Sequence, residues 1–158
     1  FAAFLDEAGI PHGSLYGVLD RMCEETYPRG TSLRASMLLQ GTRADPDLRG
    51  SITGLSVDNF TPGDFAVAVQ QSMTDELYDL FAALPDTGKR IAVASGNGVR
   101  LGKVLRKMLK ERYGMPLYIP QFREEAAYGA SLFAIHCACA SLPLSEIKKH
   151  IRYMETDE

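Results

Sequence analysis

The sequence has no apolar run that approaches the roughly 18 residues needed for a membrane-spanning helix. Its opening residues include neither a basic segment nor a long apolar one, so we do not expect a secretory signal there. Blocks of like charge are also missing: Lys and Arg number 17, Asp and Glu number 20, and the net charge is −3. A weakly acidic chain of this kind is a poor candidate for binding nucleic acid or an anionic membrane.

Cysteine is scarce, with three residues at irregular spacing. An odd number without a pattern argues against a disulfide scaffold and favours a reducing compartment, so we expect a cytoplasmic protein. The segment His136-Cys137-Ala138-Cys139 invites a metal-site interpretation. On a helix, however, Cys137 and Cys139 would lie about 200° apart around the axis and could not converge on one ion. The sequence therefore predicts small buried thiols and no metal site.

The chain length of 158 residues fits one domain, or one half of a two-domain protein. Its composition, 46% hydrophobic and 23% charged, is typical of a globular domain, and no repeat or flexible linker divides it. The first residue is Phe1, which stands in the middle of an apolar pattern. This start has two interpretations: a processed or disordered terminus, or a chain taken from a longer protein.

Hydrophobic spacing predicts helices that alternate with strands. The clearest signal is Thr61-Pro62-Gly63-Asp64, where a capping hydroxyl, a proline and an acid open a long amphipathic helix that ends before Pro85. The alternation favours an α/β fold, with a parallel or mixed sheet covered by helices on both faces. The other predicted helices cover residues 14–25 (capped by Ser14), 99–110, 124–140 and a segment from 145, and the predicted strands cover residues 33–39, 51–56, 90–95 and 116–120.

Several expectations concern packing. The apolar strand at residues 90–95 should be fully buried, and the helix from residue 124, rich in small side chains, should approach a sheet closely. The last helix, from Ser145, should bury Ile147 and Ile151 and fray at residues 155–158. The long helix should turn one apolar row inward, formed by Phe65, Val69, Met73, Leu77, Leu80, Phe81 and Leu84. The helix at residues 99–110 should bury Val104, Leu105, Met108 and Leu109 and leave Lys103, Arg106, Lys107 and Lys110 in solvent.

The most informative segment covers residues 91–100, Ile-Ala-Val-Ala-Ser-Gly-Asn-Gly-Val-Arg, in which a strand leads directly into a helix. Gly96 and Gly98 allow the backbone to approach a ligand or to adopt a positive φ. The free N–H groups of the first helical turn favour phosphate, which indicates an anion and nucleotide site. The alternative interpretation is a tight turn that needs glycine for its geometry alone.

Two specific nucleotide motifs do not fit this segment. No Gly-Lys-Ser/Thr follows the glycines, so the segment is not a P-loop. A dinucleotide fold would need an acid at the end of the next strand, where Ile119, Pro120 and Gln121 stand instead.

Four segments together resemble the C-terminal domain of the FGGY family of carbohydrate kinases. They are residues 38–46, residues 49–55 with the long helix that follows, residues 93–100 and residues 124–132. The third lies where the family has its adenosine motif, and the fourth matches its closing Ala-rich helix. The resemblance runs from about residue 33 to residue 140 and depends on the order and spacing of all four.

The resemblance implies an actin-like ATPase fold built from two ribonuclease-H-like domains, with a sugar and ATP meeting between them. Residues 1–158 would form a single domain, the C-terminal nucleotide-binding half, whose partner is the N-terminal kinase domain of the same protein. The implied cofactors are ATP and Mg²⁺, and the implied sugar is a ketose or polyol, with sedoheptulose the first candidate. The implied nucleotide contacts are Ser95, Gly96, Asn97 and Gly98 near the ribose and phosphates, with Arg100 near the adenine.

This chain departs from the family's pattern at Arg100, where many relatives have a small or amide side chain. Arg100 could stack on adenine or could be a solvated helix residue. A second departure is that no segment matches the family's phosphate loop, its second phosphate motif or its catalytic Asp. The sequence therefore assigns no catalytic residue, and we expect the isolated chain to be inactive.

Two rival interpretations remain open beside the kinase. The chain could be a non-catalytic nucleotide-binding or scaffold module of the same fold. It could also have a different α/β fold that uses the glycine segment for another cofactor.

Overall fold

The computed structural model describes residues 2–85, 88, 91–139 and 142–156. The chain forms two compact units, the first extending to Phe81 and the second beginning at Ala82. That residues 1–158 form a single domain remains a prediction.

The first unit combines helices with a small antiparallel sheet. Strands β1 and β2 pair so that Ala35 lies opposite Ile52, and each strand is shorter than the sequence predicted. The elements are helix α1 (Ala2–Glu7), helix α2 (Tyr16–Thr26), a 3₁₀ turn (Tyr27–Arg29), strand β1 (Arg34–Ser36), strand β2 (Ser51–Thr53) and helix α3 (Pro62–Ala82).

Helix α2 ends as the sequence predicted but begins differently. The 3₁₀ turn and Gly30, at a φ of 73°, end the helical stretch. The prediction that Ser14 caps the helix was wrong, because the residue that precedes the first turn is Leu15 and no side chain bonds there.

The start of helix α3 confirms the predicted cap. The Thr61 Oγ1 accepts a hydrogen bond from the backbone N–H of Asp64 at 3.2 Å, and its hydroxyl donates to the Asp64 carboxylate at 2.6 Å. The Arg29 guanidinium donates to the same carboxylate oxygen at 2.7 Å. Burial alone would raise the pKa of Asp64, but the hydrogen bonds from Arg29 and Thr61 outweigh burial and hold this pKa below its usual value.

The apolar row predicted for helix α3 is not its buried face. Gly63, Val67 and Thr74 are buried, whereas Met73 and Leu77 are exposed. A Cβ placed on Gly63 would lie 2.9 Å from the carbonyl oxygen of Met22, so helix α2 approaches helix α3 at a position without a side chain. This close approach, and not the largest apolar residues, decides which face turns inward.

The second unit is built on a three-stranded mixed sheet in the order β3-β4-β5. Strands β3 and β4 are parallel, and strands β4 and β5 are antiparallel. The predicted α/β fold with a mixed sheet is therefore confirmed. The elements are strand β3 (Ala92–Val93), helices α4 (Asn97–Leu101) and α5 (Lys103–Tyr113), strand β4 (Leu117–Pro120), helices α6 (Glu125–Ala138) and α7 (Leu144–Lys148), and strand β5 (Tyr153–Glu155).

Helix α5 supplies most of the core of the second unit. Leu105 and Leu109 pack with Leu117 of strand β4, and partly buried Ala92, Ala94, Val99 and Tyr113 surround them. The predicted burial of Val104, Leu105, Met108 and Leu109 is confirmed. Gly102 divides the predicted helix at residues 99–110 into α4 and α5.

Three packing predictions for this unit were wrong. Strand β3 is not fully buried, since Val93 is exposed in a two-residue strand, and among the described strands only β4 pairs with it. Helix α6 has no buried residue, and a Cβ on Gly129 would meet open space. For the same reason Cys137 and Cys139 are exposed thiols.

The fraying predicted for residues 155–158 was wrong for Glu155, which lies in strand β5, and for Thr156, which is buried, while residues 157–158 lie outside the described residues. The Gln121 backbone N–H donates to the Arg152 carbonyl at 2.9 Å, and the Thr156 hydroxyl donates to the Leu117 carbonyl at 3.0 Å. These bonds hold strand β5 against strand β4. The predicted positions Arg90 and Ala140 lie outside the described residues.

Candidate functional site

Strands β3 and β4 end at the same edge of the mixed sheet. They are parallel, with Val93 opposite Tyr118, and the backbone N–H of Ala94 donates to the carbonyl of Tyr118 at 2.9 Å. The segments that follow them, residues 95–98 and 121–124, therefore leave the sheet on one side. In open α/β sheets, ligands bind at the carboxyl ends of strands.

The first of these segments, residues 95–98, forms the glycine loop. Ser95, Gly96, Asn97 and Gly98 are all exposed. Gly96 has a φ of 99°, which side-chain-bearing residues rarely adopt, and a Cβ on either glycine would have no heavy atom within 4 Å. The chain itself therefore does not need a glycine at position 98, and the space beside both glycines can admit a ligand.

Helix α4 begins directly after Gly96. Its first internal hydrogen bond runs from the N–H of Arg100 to the carbonyl of Gly96 at 3.0 Å. The N–H groups of Asn97, Gly98 and Val99 precede that bond and have no acceptor within the helix. The exposed glycine loop thus presents backbone donors that oxygen atoms of a ligand can accept.

Arg100 points away from solvent and into the adjoining loop. Its Nη2 donates to the carbonyl of Pro120 at 2.8 Å, to the carbonyl of Phe122 at 3.0 Å and to Oε1 of Glu125 at 2.8 Å. Only 12% of the Arg100 side chain is exposed. The interpretation of Arg100 as a solvated helix residue was therefore wrong, while its contact with adenine remains a prediction.

Arg106 and Lys110 also depart from the solvated face that the sequence predicted. The Arg106 Nη1 donates to the carbonyls of Val99 and Arg100, both at 2.9 Å, at the end of helix α4. The Lys110 ammonium donates to the carbonyl of Thr156 at 3.1 Å.

Glu125 is the site residue that sequence reasoning missed. Its Oε1 accepts the Arg100 bond and lies 3.5 Å from the backbone nitrogen of Gly96. The hydrogen bond from Arg100 is the main reason that the pKa of Glu125 lies below its ordinary value. A sequence signal existed, since opposite charges follow two strands that were expected to lie in one sheet.

An aromatic pair lies in the second segment of the same edge. The rings of Phe122 and Tyr128 stack with centroids 4.2 Å apart at 27°. The Tyr128 hydroxyl donates to the carbonyl of His150 at 2.8 Å, and Phe122 is 42% exposed. The loop that accepts the Arg100 bonds therefore carries an accessible aromatic surface.

Metal ligands do not cluster at this edge. Within the part of the chain that the structure describes, no group of three or more His, Cys, Asp or Glu residues could hold a metal ion. None of the described helices is both long and apolar enough to cross a membrane.

Comparison with solved structures identifies the fold. Among similar structures are xylulose kinase from Rhodospirillum rubrum (TM-score 0.70, 22% identity, 89% of this chain and 29% of that one) and gluconate kinase from Lactobacillus acidophilus (TM-score 0.67, 20% identity, 86% and 28%). A third is glycerol kinase from Plasmodium falciparum with ADP (TM-score 0.67, 16% identity, 94% and 29%). The chain spans less than a third of the length of each.

No family model matches the chain, and no curated protein does. The structural neighbours are carbohydrate kinases of the FGGY family, as the sequence resemblance implied. At these identities the likeness shows the fold alone: the chain has the mixed α/β fold of a domain found in these similar structures.

Proposed function

We propose that this chain is the nucleotide-binding domain of an ATP-dependent carbohydrate kinase. The complete enzyme moves the γ-phosphoryl group of ATP to a sugar hydroxyl, and another domain of the same protein supplies the catalytic base. The observation that carries the proposal is the open glycine loop at the carboxyl end of strand β3, in a chain with this fold. We also propose that the protein works in the cytoplasm, because its three cysteines are free thiols, as a reducing compartment favours.

In this proposal the chain binds and orients the nucleotide. The donors of Asn97 and Gly98 bond its ribose and phosphate oxygens, and the open space beside Gly96 and Gly98 lets it lie against the backbone. Phosphoryl transfer depends mainly on such positioning and on stabilisation of charge. Mg²⁺, when bound, neutralises phosphate charge and takes few protein ligands, so no residue is assigned to it.

The sugar is a finer part of the proposal. The names of the similar structures include a ketose, a sugar acid and a polyol, namely xylulose, gluconate and glycerol. We propose a ketose or polyol acceptor for this protein. Sedoheptulose is the first to be tested, because the sequence segments resemble sedoheptulokinase most.

The variant Gly98→Ala tests the nucleotide site most sharply. Its added methyl group enters open space beside the glycine loop, so ATP affinity should fall at least about tenfold. Alanine favours a helix over glycine by about 0.5–1 kcal/mol, so the free energy of unfolding should not fall. An ATP titration and a thermal melt of the 158-residue chain measure both quantities.

Two results would contradict this assignment. Unchanged ATP affinity in Gly98→Ala would show that the nucleotide does not lie against the glycine loop. A large loss of stability would show that Gly98 has a packing role. The control is Gly102→Ala, where the Cβ would lie 2.7 Å from the carbonyl oxygen of Gly98, so that variant should lose stability.

Turnover assays separate the kinase from a non-catalytic module. The 158-residue chain alone should bind ATP weakly and phosphorylate no sugar, because it lacks a match to the catalytic Asp. Turnover by this chain would contradict the absence of a catalytic base. A full-length protein that binds ATP but phosphorylates no ketose or polyol would favour a nucleotide-binding or scaffold module.

A further inference from the structure

The Arg100 guanidinium joins the two segments that leave the edge of the sheet. Arg100 lies on helix α4, directly after the glycine loop, and its Nη2 reaches the carbonyls of Pro120 and Phe122. These carbonyls belong to the end of strand β4 and to the segment before helix α6. One side chain therefore fixes the spacing between the two segments.

Glu125 completes this connection from the other side. Its Oε1 receives the Arg100 bond at 2.8 Å and lies 3.5 Å from the Gly96 backbone nitrogen. Gly96 holds the φ of 99° that shapes the loop. The carboxylate thus contacts both the arginine and the residue whose positive φ shapes the glycine loop.

The backbone on the other side of Arg100 is also held. The Arg106 bonds to the carbonyls of Val99 and Arg100 fix the last turn of helix α4. The Arg100 Nε is buried and has no hydrogen-bond partner among the described residues. Arg100 could not turn toward a nucleotide without giving up its three acceptors.

We infer that Arg100 and Glu125 form a positioning pair, which sets the conformation of the glycine loop for the nucleotide without contacting it. The inference rests on the proposed function, and it assigns to Arg100 an indirect role in place of an adenine contact. All three bonds come from Nη2, the far end of the guanidinium, and the shorter lysine side chain would place its ammonium elsewhere.

The distinction between an indirect and a direct role has a measurable consequence. A guanidinium that touched the phosphates would lose more affinity for ATP than for ADP or adenosine when removed. A guanidinium that contacted adenine would, when removed, lower the affinity for all three ligands equally and leave exchange of the Gly96 amide in the free chain unchanged. A pair that acts through the loop would lower all three affinities by the same factor and would also speed that exchange. Because the two side chains share the Arg100–Glu125 contact, their effects should also be less than additive.

The test uses Arg100→Gln, Arg100→Lys, Glu125→Gln and the double variant Arg100→Gln/Glu125→Gln in the 158-residue chain. Affinities for ATP, ADP and adenosine come from NMR titrations, and the exchange rate of the Gly96 amide is measured without any ligand. The control is Lys149→Gln, which breaks an exposed ion pair to Glu146 far along the chain from the glycine loop.

We expect Arg100→Gln to lower the affinities for ATP, ADP and adenosine equally, each by about tenfold. Arg100→Lys should not rescue binding, and the double variant should lose less affinity than the sum of the two single losses. The Gly96 amide should exchange faster in Arg100→Gln than in the wild type, and Lys149→Gln should change nothing.

Four results would overturn the positioning role: wild-type affinity in Arg100→Gln, a loss that grows with each phosphate, additive single effects, or an exchange rate of the Gly96 amide that Arg100→Gln leaves unchanged. A wild-type chain that binds no ATP would contradict the proposed function instead. In that case the Gly96 exchange rate still decides the inference, because unchanged exchange in Arg100→Gln would refute it and faster exchange would support the coupling of the pair to the loop.

Discussion

The two compact units each contain an arginine–carboxylate pair beside the start of a helix, and the pairs are built in opposite ways. In the first unit the Asp64 carboxylate is fully buried at 0% exposure, while its partner Arg29 is 53% exposed. In the second unit Arg100 is 12% exposed and Glu125 is 24% exposed. In the first pair the carboxylate is the buried partner, whereas in the second pair the guanidinium is more buried than the carboxylate.

This difference separates a structural pair from a site pair. Asp64 accepts bonds from Thr61 and Arg29 at the first turn of a 21-residue helix, so its contacts hold an element in place. Glu125 faces a loop whose glycines border open space, so its contacts shape a surface that a ligand can reach. Similar chemistry therefore stabilises the fold in one unit and arranges a site in the other.

The largest expected effect on stability is at Asp64. Asp64→Asn should lower the free energy of unfolding by about 2 kcal/mol, because a buried, charged acceptor of two hydrogen bonds is lost. ATP affinity should not change. Urea unfolding followed by circular dichroism measures the loss, and Glu125→Gln is the matched variant in the second unit.

Glu125→Gln should shift the unfolding midpoint less than Asp64→Asn, because its carboxylate is partly in solvent. If Glu125→Gln proved the more damaging to stability, the contrast between a structural pair and a site pair would be lost.

The buried Asp64 carboxylate should also make the free energy of unfolding depend on pH. The pKa of Asp64 is lower in the folded chain, so its contribution is present above the unfolded pKa of about 3.9 and is lost as the pH falls through the folded pKa. Between about pH 5 and pH 2, wild-type stability should therefore fall more steeply than that of Asp64→Asn. Parallel curves in urea unfolding would mean that Asp64 has an ordinary pKa.

Removing only the cap should cost less. Thr61→Ala loses the bond from the Asp64 N–H and the bond to its carboxylate, and should lower the free energy of unfolding by about 1 kcal/mol. Thr61→Ser keeps the hydroxyl and serves as the control. A loss as large in Thr61→Ser as in Thr61→Ala would assign the effect to the methyl group.

The smallest effect should be at the one buried thiol. Burial first, and the charge of Asp20 second, raise the pKa of Cys23 to about 11, whereas Cys137 and Cys139 are exposed on and after helix α6. A thiol reagent at neutral pH should therefore label Cys137 and Cys139 quickly and Cys23 only after unfolding. Rapid labelling of Cys23 in the folded chain would show that the interior of the first unit is open.

Local signals made part of the fold predictable. The cap at Thr61 and the strand-to-helix junction at Gly96 each depend on neighbouring residues, and both lie where the sequence predicted them. The inward face of helix α3 was missed because it depends on the approach of Met22 to Gly63. The spacing of apolar residues within one helix does not show where a second helix will contact it.

The candidate site, like the fold, was predictable only in part. The exposure of the glycine loop follows from residues within it, whereas the contact between Arg100 and Glu125 joins positions 25 residues apart. That contact exists because strands β3 and β4 are adjacent in the sheet. The sequence did not establish that these two strands are adjacent. Strand β5 was missed for the same reason, since its pairing with strand β4 is its main signal.

The most direct test of the account is an ATP titration of the isotopically labelled 158-residue chain, observed at the backbone amides. The account predicts that the largest shifts fall on residues 95–100, where the glycine loop is exposed and the N–H groups of Asn97, Gly98 and Val99 have no acceptor within helix α4. Saturable shifts confined to other residues, with those of the loop unmoved, would contradict it.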